Sequence, residues 1–204
     1  MSRELLLATR NPHKLREVRE ILAGTDFAVI SIADLSDIPE IIEDGDTFEA
    51  NADKKARVLA RLTGRTAIAD DSGIEVDHLD GAPGIYSARF AGVQGPGADA
   101  ANNRLLVEKL EGVPMSQRTA RYRCVLAIVT PDGAARYSSG SVEGRIVDEP
   151  AGDDGFGYDP HFLVEGDAQG RRMAELSPDE KNAISHRGKA LRELLPLLED
   201  LHRA

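Results

Sequence analysis

The sequence predicts an α/β fold with a mixed sheet. Three observations lead there. Apolar runs of strand length alternate with amphipathic helical patterns. One long strand pattern passes through Pro131-Asp132-Gly133 directly into another, the mark of an antiparallel hairpin. No internal repeat, linker or low-complexity tract interrupts the 204 residues. With 41% hydrophobic and 29% charged residues the chain has the balance of one that packs a core, enough for one large domain or two small lobes. It has no Trp and few other aromatics, so that core rests on Leu, Ile, Val and Ala.

In chain order, Leu5-Leu6-Leu7-Ala8 is the first strand. Leu15, Val18, Ile21 and Leu22 then share one face of a helix. Residues 27–32 are extended and lead through an acidic connection to Gly45. Asp46-Thr47-Phe48-Glu49 has a capping-box pattern and opens a helix to Leu62, with Gly64 as its stop. Residues 66–69 read as a strand, Asp70-Asp71-Ser72-Gly73 as a polar corner, and 74–76 as a second short strand. The Gly- and Pro-rich stretch 80–92 is an ordered loop with one helical turn, and 98–110 is another helix. Residues 118–129 and 135–142 form the hairpin, and the glycine-rich loop 152–160 precedes a strand at 161–164. Ser177-Pro178-Asp179-Glu180 is a second capping box with proline at the first helical position. The helical pattern it opens reaches the C-terminus, broken at Ser185-His186-Arg187-Gly188 and kinked or stopped near Pro196.

Charge and composition exclude several classes. The net charge of −10 has the wrong sign for a general nucleic-acid binder, though a small anion remains possible where positive charge is local or a divalent cation intervenes. No stretch approaches the roughly 20 apolar residues of a membrane span. Met1-Ser2-Arg3-Glu4 leads into only four apolar residues, too few for a secretory signal, so a cytoplasmic location is expected. The single Cys124 excludes an internal disulfide and a multi-thiolate zinc site, and reads as a buried strand thiol.

Four polar clusters fall at element junctions. The turn Thr9-Arg10-Asn11-Pro12-His13-Lys14 has no glycine but joins a strand end to a helix start, where amides carry partial positive charge. It reads either as a plain start, with Asn11 as N-cap and Pro12 in the first position, or as an anion site; the two are compatible. Glu43 and Asp44 with Asp70 and Asp71 offer carboxylates that could hold Mg²⁺ or orient a water, or could serve as caps and turn formers. Phe156-Gly157-Tyr158-Asp159-Pro160 sets two aromatics in a glycine-rich loop, suited to stacking on a flat ring or to pinning the loop to the core. Lys181 and Arg187, near His186, are donors only and favour a carbonyl oxygen or phosphate over an amine; dipole compensation at a helix end is the plainer role.

The clusters occur in a telling order. Thr9-x-Asn11-x-x-Lys14, Glu43-x-Gly45, Thr47-Phe48-x-x-Asn51-Ala52, Ala69-Asp70-Asp71-Ser72-Gly73, Gly81-x-Pro83-Gly84-x-x-Ser87-Ala88-Arg89, Phe156-Gly157-Tyr158-Asp159-Pro160 and Ser185-His186-Arg187 span nearly the whole chain. This set resembles the inosine triphosphate pyrophosphatase family; Arg10 departs from the glycine many members carry. The resemblance implies an elongated two-lobed fold, residues 1–204 as one such domain, around a long mixed sheet flanked by helices, with the active site in the cleft and a homodimer as the assembly. It implies hydrolysis of ITP, dITP and XTP between the α- and β-phosphates. By the same resemblance Thr9, Arg10, Asn11, Pro12, His13 and Lys14 grip the triphosphate. Glu43 and Asp71 bind Mg²⁺, and Asp71 is also the general base. Ser72, Phe156, Gly157, Tyr158, Asp159, Lys181, His186 and Arg187 hold the nucleotide and read its base. Two other functions share parts of this set: a phosphatase releasing orthophosphate, and a non-catalytic nucleotide sensor, which would not need a water-activating carboxylate.

Overall fold

The computed structural model describes residues 3–36 and 38–201, the side chain of Glu199 excepted. Among these residues the strands are β1 (Arg3–Leu7), β2 (Phe27–Ser31), β3 (Ala67–Val76), β4 (Thr119–Val129), β5 (Ala135–Ile146) and β6 (Phe162–Val164). The helices are α1 (Pro12–Ile21), α2 (Phe48–Thr63), α3 (Ala98–Lys109), α4 (Pro178–Ile184) and α5 (His186–Leu201). The strands form one sheet in the order β2-β1-β3-β4-β5-β6. β1 pairs in parallel with β2 and with β3, while β5 and β6 are antiparallel, so the sheet is mixed as expected.

Local rules place most boundaries. Asn11 caps α1 through its side chain, and Pro12 takes the first position, where its missing N–H costs nothing. Ser177 and Glu180 form the capping box of α4, again with proline inside the first turn. Gly64 ends α2 in the left-handed conformation.

Three expectations are corrected. The cap of α2 is Thr47, which accepts from the Ala50 amide, one residue later than the Asp46-to-Glu49 box. Residues 66–76 are not two strands around a corner: β3 runs unbroken through Asp70-Asp71-Ser72-Gly73. It lies inside the sheet with a neighbour on each side, and ladder pairing overrides the turn preference of Asp-Ser-Gly. The break before the last helix is confined to Ser185; Gly188 and Pro196 both lie inside α5. The end of that expected helix beyond Leu201, like Met1 and Ser2, lies outside the described residues.

The chain divides into two compact units, one of Met1–Asp71, Cys124–Gly140 and Arg187–Ala204, the other of Ser72–Arg123 and Ser141–His186. In the first, Leu5, Leu7, Ile68, Cys124, Leu126 and Ile128 from the sheet pack with Val18 and Leu22 of α1 and with Ala190, Leu191, Leu194 and Leu198 of α5. The spacing 190, 191, 194, 198 is one helical stripe. β4 within this unit is buried on both faces, since Val125, Ala127 and Val129 are as enclosed as their neighbours. Cys124 is a buried thiol, and that burial pushes its pKa up to about 12, far from a nucleophile's. In the second unit Ile74, Val76, Leu106, Leu110, Tyr122, Val142, Ile146, Tyr158, Phe162 and Met173 belong to a core of their own.

Candidate active site

Within the first unit, β3 delivers two adjacent carboxylates to different surroundings. Successive strand residues point to opposite faces. Asp70 meets α1 and α5: its Oδ2 lies 2.8 Å from the Lys14 ammonium and accepts from Arg187 Nη2 at 3.1 Å. Arg187, at the start of α5 and only 1% exposed, also donates to Glu17 of α1. Burial alone would raise the Asp70 pKa, but Lys14, Arg187 and Lys55 outweigh it and hold the group far below the usual carboxylate range. The same pairing keeps Arg187 charged against the cost of burial.

Asp71 faces α2. Its Oδ2 accepts from Asn51 Nδ2 at 3.0 Å, and its Oδ1 lies 3.9 Å from Lys55 Nζ. Lys55 also donates to Glu43 and, at 2.6 Å, to the Asp70 carbonyl. Asn51 and Lys55 are four apart and so share a helix face. Next to them Asp44 pairs with Lys54 at 2.5 Å, which fastens the 43–45 segment to α2. Burial raises the Asp71 pKa and the nearby charge of Glu43 adds to the rise, against the opposing pull of Lys55 and Asn51. Asp70 is therefore saturated by cations, whereas Asp71 remains the more basic of the pair.

Gly45 makes this geometry possible. Its amide donates to Asn51 Oδ1 at 2.8 Å, leaving Asn51 Nδ2 for Asp71. A Cβ at residue 45 would stand 2.8 Å from that same oxygen and 2.9 Å from the Ala50 Cβ.

The opening turn is a capped helix start. Asn11 Oδ1 accepts from the amides of His13 (2.9 Å) and Lys14 (3.4 Å), and Thr9 Oγ1 accepts from the Asn11 amide. Arg10 donates at 2.6 Å to the Ile38 carbonyl, reaching the segment that leads to Glu43.

The second unit gathers the aromatic loop around Asp159. One carboxylate oxygen accepts from the Phe156 amide (2.9 Å) and the Lys181 ammonium (2.7 Å); the other accepts from the Tyr122 hydroxyl (3.0 Å). Lys181 Nζ sits 4.9 Å from the Phe156 ring centroid, in cation–π range. His186 stacks on Tyr122 with rings 10° apart and centroids at 4.8 Å. Tyr158 is buried and donates to the Ser87 carbonyl at 2.8 Å. It pins the loop, while half-buried Phe156 presents its ring beside Lys181.

Of the residues expected from sequence, Thr9, Arg10, Asn11, Pro12, His13, Lys14, Glu43, Asp71 and Arg187 belong to the first unit. Ser72, Phe156, Gly157, Tyr158, Asp159, Lys181 and His186 belong to the second. Arg187 pairs with Asp70 and Glu17. Sequence reasoning missed Glu17, Lys55 and Tyr122, and took Asn51 only as part of a motif. The one available signal was the Asn51/Lys55 spacing.

For a divalent cation, Glu43 and Asp71 are hard oxygen donors that already share one ammonium, so the spot suits positive charge. No cluster of three or more His, Cys, Asp or Glu fit to hold a metal occurs among the described residues.

Comparison with known proteins adds the lineage of this constellation. The Ham1 family profile matches residues 5–197. A dITP/XTP pyrophosphatase of Geobacter sulfurreducens is 52% identical over 187 residues, covering 92% of each chain. One from Desulforamulus reducens is 50% identical, covering 98% of this chain and 97% of the relative. The solved structure of a HAM1 protein from Coxiella burnetii superposes with a TM-score of 0.85 at 42% identity, covering 97% of this chain and 99% of that one.

Proposed function

The chain belongs to the Ham1 family, and on that premise we propose that it hydrolyses non-canonical purine nucleoside triphosphates, dITP, ITP and XTP, to the monophosphate and pyrophosphate. The observation that carries this reading is the division of labour on β3. Asp70 is locked by Lys14 and Arg187, whereas Asp71 is oriented by Asn51 and shares a cation-accepting spot with Glu43.

In this reading Asp71 accepts the proton of the water that opens the α–β anhydride, and Asn51 holds its carboxylate in the productive orientation. Glu43 and Asp71 would hold Mg²⁺, which when bound offsets charge on the phosphate oxygens. Lys14, Arg10 and His13, with Thr9, Asn11 and Pro12 shaping the turn, face the triphosphate. Lys55 is a further cation for it once Glu43 and Asp71 have another partner. Phe156 stacks on the base. Lys181 reads the 6-oxo group as a donor, a contact that the amine of adenine cannot replace. Ser72, Gly157, Tyr158, Asp159 and His186 shape the site that holds the nucleotide. Arg187 is assigned a positioning role instead of base reading, because its guanidinium is committed to Asp70 and Glu17. The working form is a cytoplasmic homodimer, as the family resemblance implies.

The decisive experiment is product analysis with dITP, ITP, XTP and ATP in the presence of Mg²⁺. Deoxyinosine monophosphate with pyrophosphate is expected from dITP, little turnover from ATP, and no activity after chelation until Mg²⁺ is restored. Orthophosphate with the diphosphate would move the chemistry to the terminal phosphate and overturn the reading.

Gly45→Ala gives an independent check on the base. The added methyl pushes Asn51 away from Asp71 without removing either reacting group. Misplacement on the 1 Å scale costs up to about 10²-fold in rate, so kcat should fall by that order with the circular-dichroism spectrum unchanged. Wild-type kcat in this variant would show that the Asn51 contact does not orient the base.

A further inference from the structure

The aromatic loop has a second anchor, on the side away from Asp159. Gly157, with φ +62° in the left-handed region that glycine tolerates, has both of its backbone polar groups taken by side chains of α3. Its amide donates to Asp99 Oδ2 at 2.8 Å, and its carbonyl accepts from Asn103 Nδ2 at 2.7 Å. Asp99 and Asn103 are four residues apart, so a single helix face presents an acceptor and a donor at the spacing of one peptide unit. The next residue face of α3 secures a different loop: Asn102 Oδ1 accepts from the Ala91 amide at 2.8 Å, and its Nδ2 donates to the carbonyls of Ser87 and Ala88 at 3.3 Å. Ser87 O also accepts the Tyr158 hydroxyl, so both loops are tied to α3 and to each other.

Two features single out Asp99 and Asn103. Both grip backbone, which fixes the path of the loop whatever its side chains do. The gripped residue directly follows Phe156, so the clamp sets where the Phe156 ring stands relative to the Lys181 ammonium.

We propose that Asp99 and Asn103 are positioning residues for base selection: by clamping both polar groups of Gly157 they hold the Phe156 ring and Lys181 at the separation that accepts a 6-oxopurine. This rests on the reading of residues 156–159 as the base site. Without the clamp the loop would sample other positions, and ordering it would be charged against nucleotide binding. The chemical step at Asp71 would not be touched.

The test compares Asp99→Ala, Asn103→Ala and the conservative Asp99→Asn, which keeps an acceptor oxygen, with the wild type on dITP and ATP. Both alanine variants are expected to raise KM for dITP about tenfold, where the upper range of a neutral hydrogen bond (Asn103) meets the lower range of one to a charged group (Asp99). kcat should change little, the preference for dITP over ATP should narrow by a similar factor, and Asp99→Asn should recover most of it. Parallel changes on both nucleotides, a loss confined to kcat, or an Asp99→Asn variant no better than Asp99→Ala would overturn the proposal. Phe156→Ala is measured alongside. If it leaves selectivity intact, the base-site reading itself fails; if it abolishes selectivity while the α3 variants do not, only the clamp fails.

Discussion

Replacing Asp71 with Asn is expected to lower kcat for dITP by about 10³-fold, within the range of removing a positioned general base. The substitution keeps the shape of the side chain but also removes one of the two carboxylates proposed for Mg²⁺, so kcat is read at saturating Mg²⁺. Asn has the shape of Asp, and its amide can present an oxygen to Asn51 Nδ2, which now donates at 3.0 Å. Asp71 is also a buried carboxylate close to another, and its charge is opposed by burial and by Glu43. Neutralising it therefore removes a repulsion, and the thermal midpoint should hold or rise while activity disappears. That combination separates chemistry from folding. Substantial turnover in a folded Asp71→Asn enzyme would transfer the base role elsewhere, and Asp70 could not take it: two cations hold that carboxylate ionised and engaged.

Arg187→Met is expected to produce the largest loss of stability in the molecule. The guanidinium is buried and joins Glu17 of α1 to Asp70 of β3. Removing one partner of a buried ion network leaves uncompensated charge and costs about 3–5 kcal/mol, a fall of roughly 10 °C or more in midpoint for a chain of this size. The Glu17 carboxylate loses the guanidinium that donates to it, so adding Glu17→Gln should recover part of the loss. Such recovery is the non-additivity expected of groups in one network. Urea unfolding of the single and double variants measures it. A base-reading Arg187 predicts the reverse: full stability, lost selectivity, and no rescue through Glu17.

The elements legible in the sequence were those governed by near neighbours. Asn11-Pro12, Ser177-Pro178 and Gly64 announce helix ends because the cap and the amide it satisfies lie within four residues. The carboxylates of the site were legible as residue types at junctions. Their roles were not, since whether an Asp is a base or a strut depends on partners from elsewhere in the chain. Arg187 and Glu17 are 170 positions apart, and nothing in either segment points to the other. Lys55 sits mid-helix with nothing in its neighbouring sequence to single it out, yet its partners at 43, 70 and 71 enclose it. Asp70-Asp71-Ser72-Gly73 looked like a corner for a similar reason: the preference for a turn is local, and the ladders on both sides of β3 are not.

That unbroken strand has an evolutionary consequence. Because neighbouring side chains alternate in direction, the functions of Asp70 and Asp71 are assigned by parity along β3 and not by their chemical identity. Substitutions in the apolar residues 67–69 are tolerated as long as volume is kept. A single inserted or deleted residue there is a different event: it would turn the strut toward α2 and the base toward α1 and α5, leaving every catalytic side chain present and none correctly assigned. Family divergence should accordingly be recorded in this segment as exchanges of residue, with its length held constant.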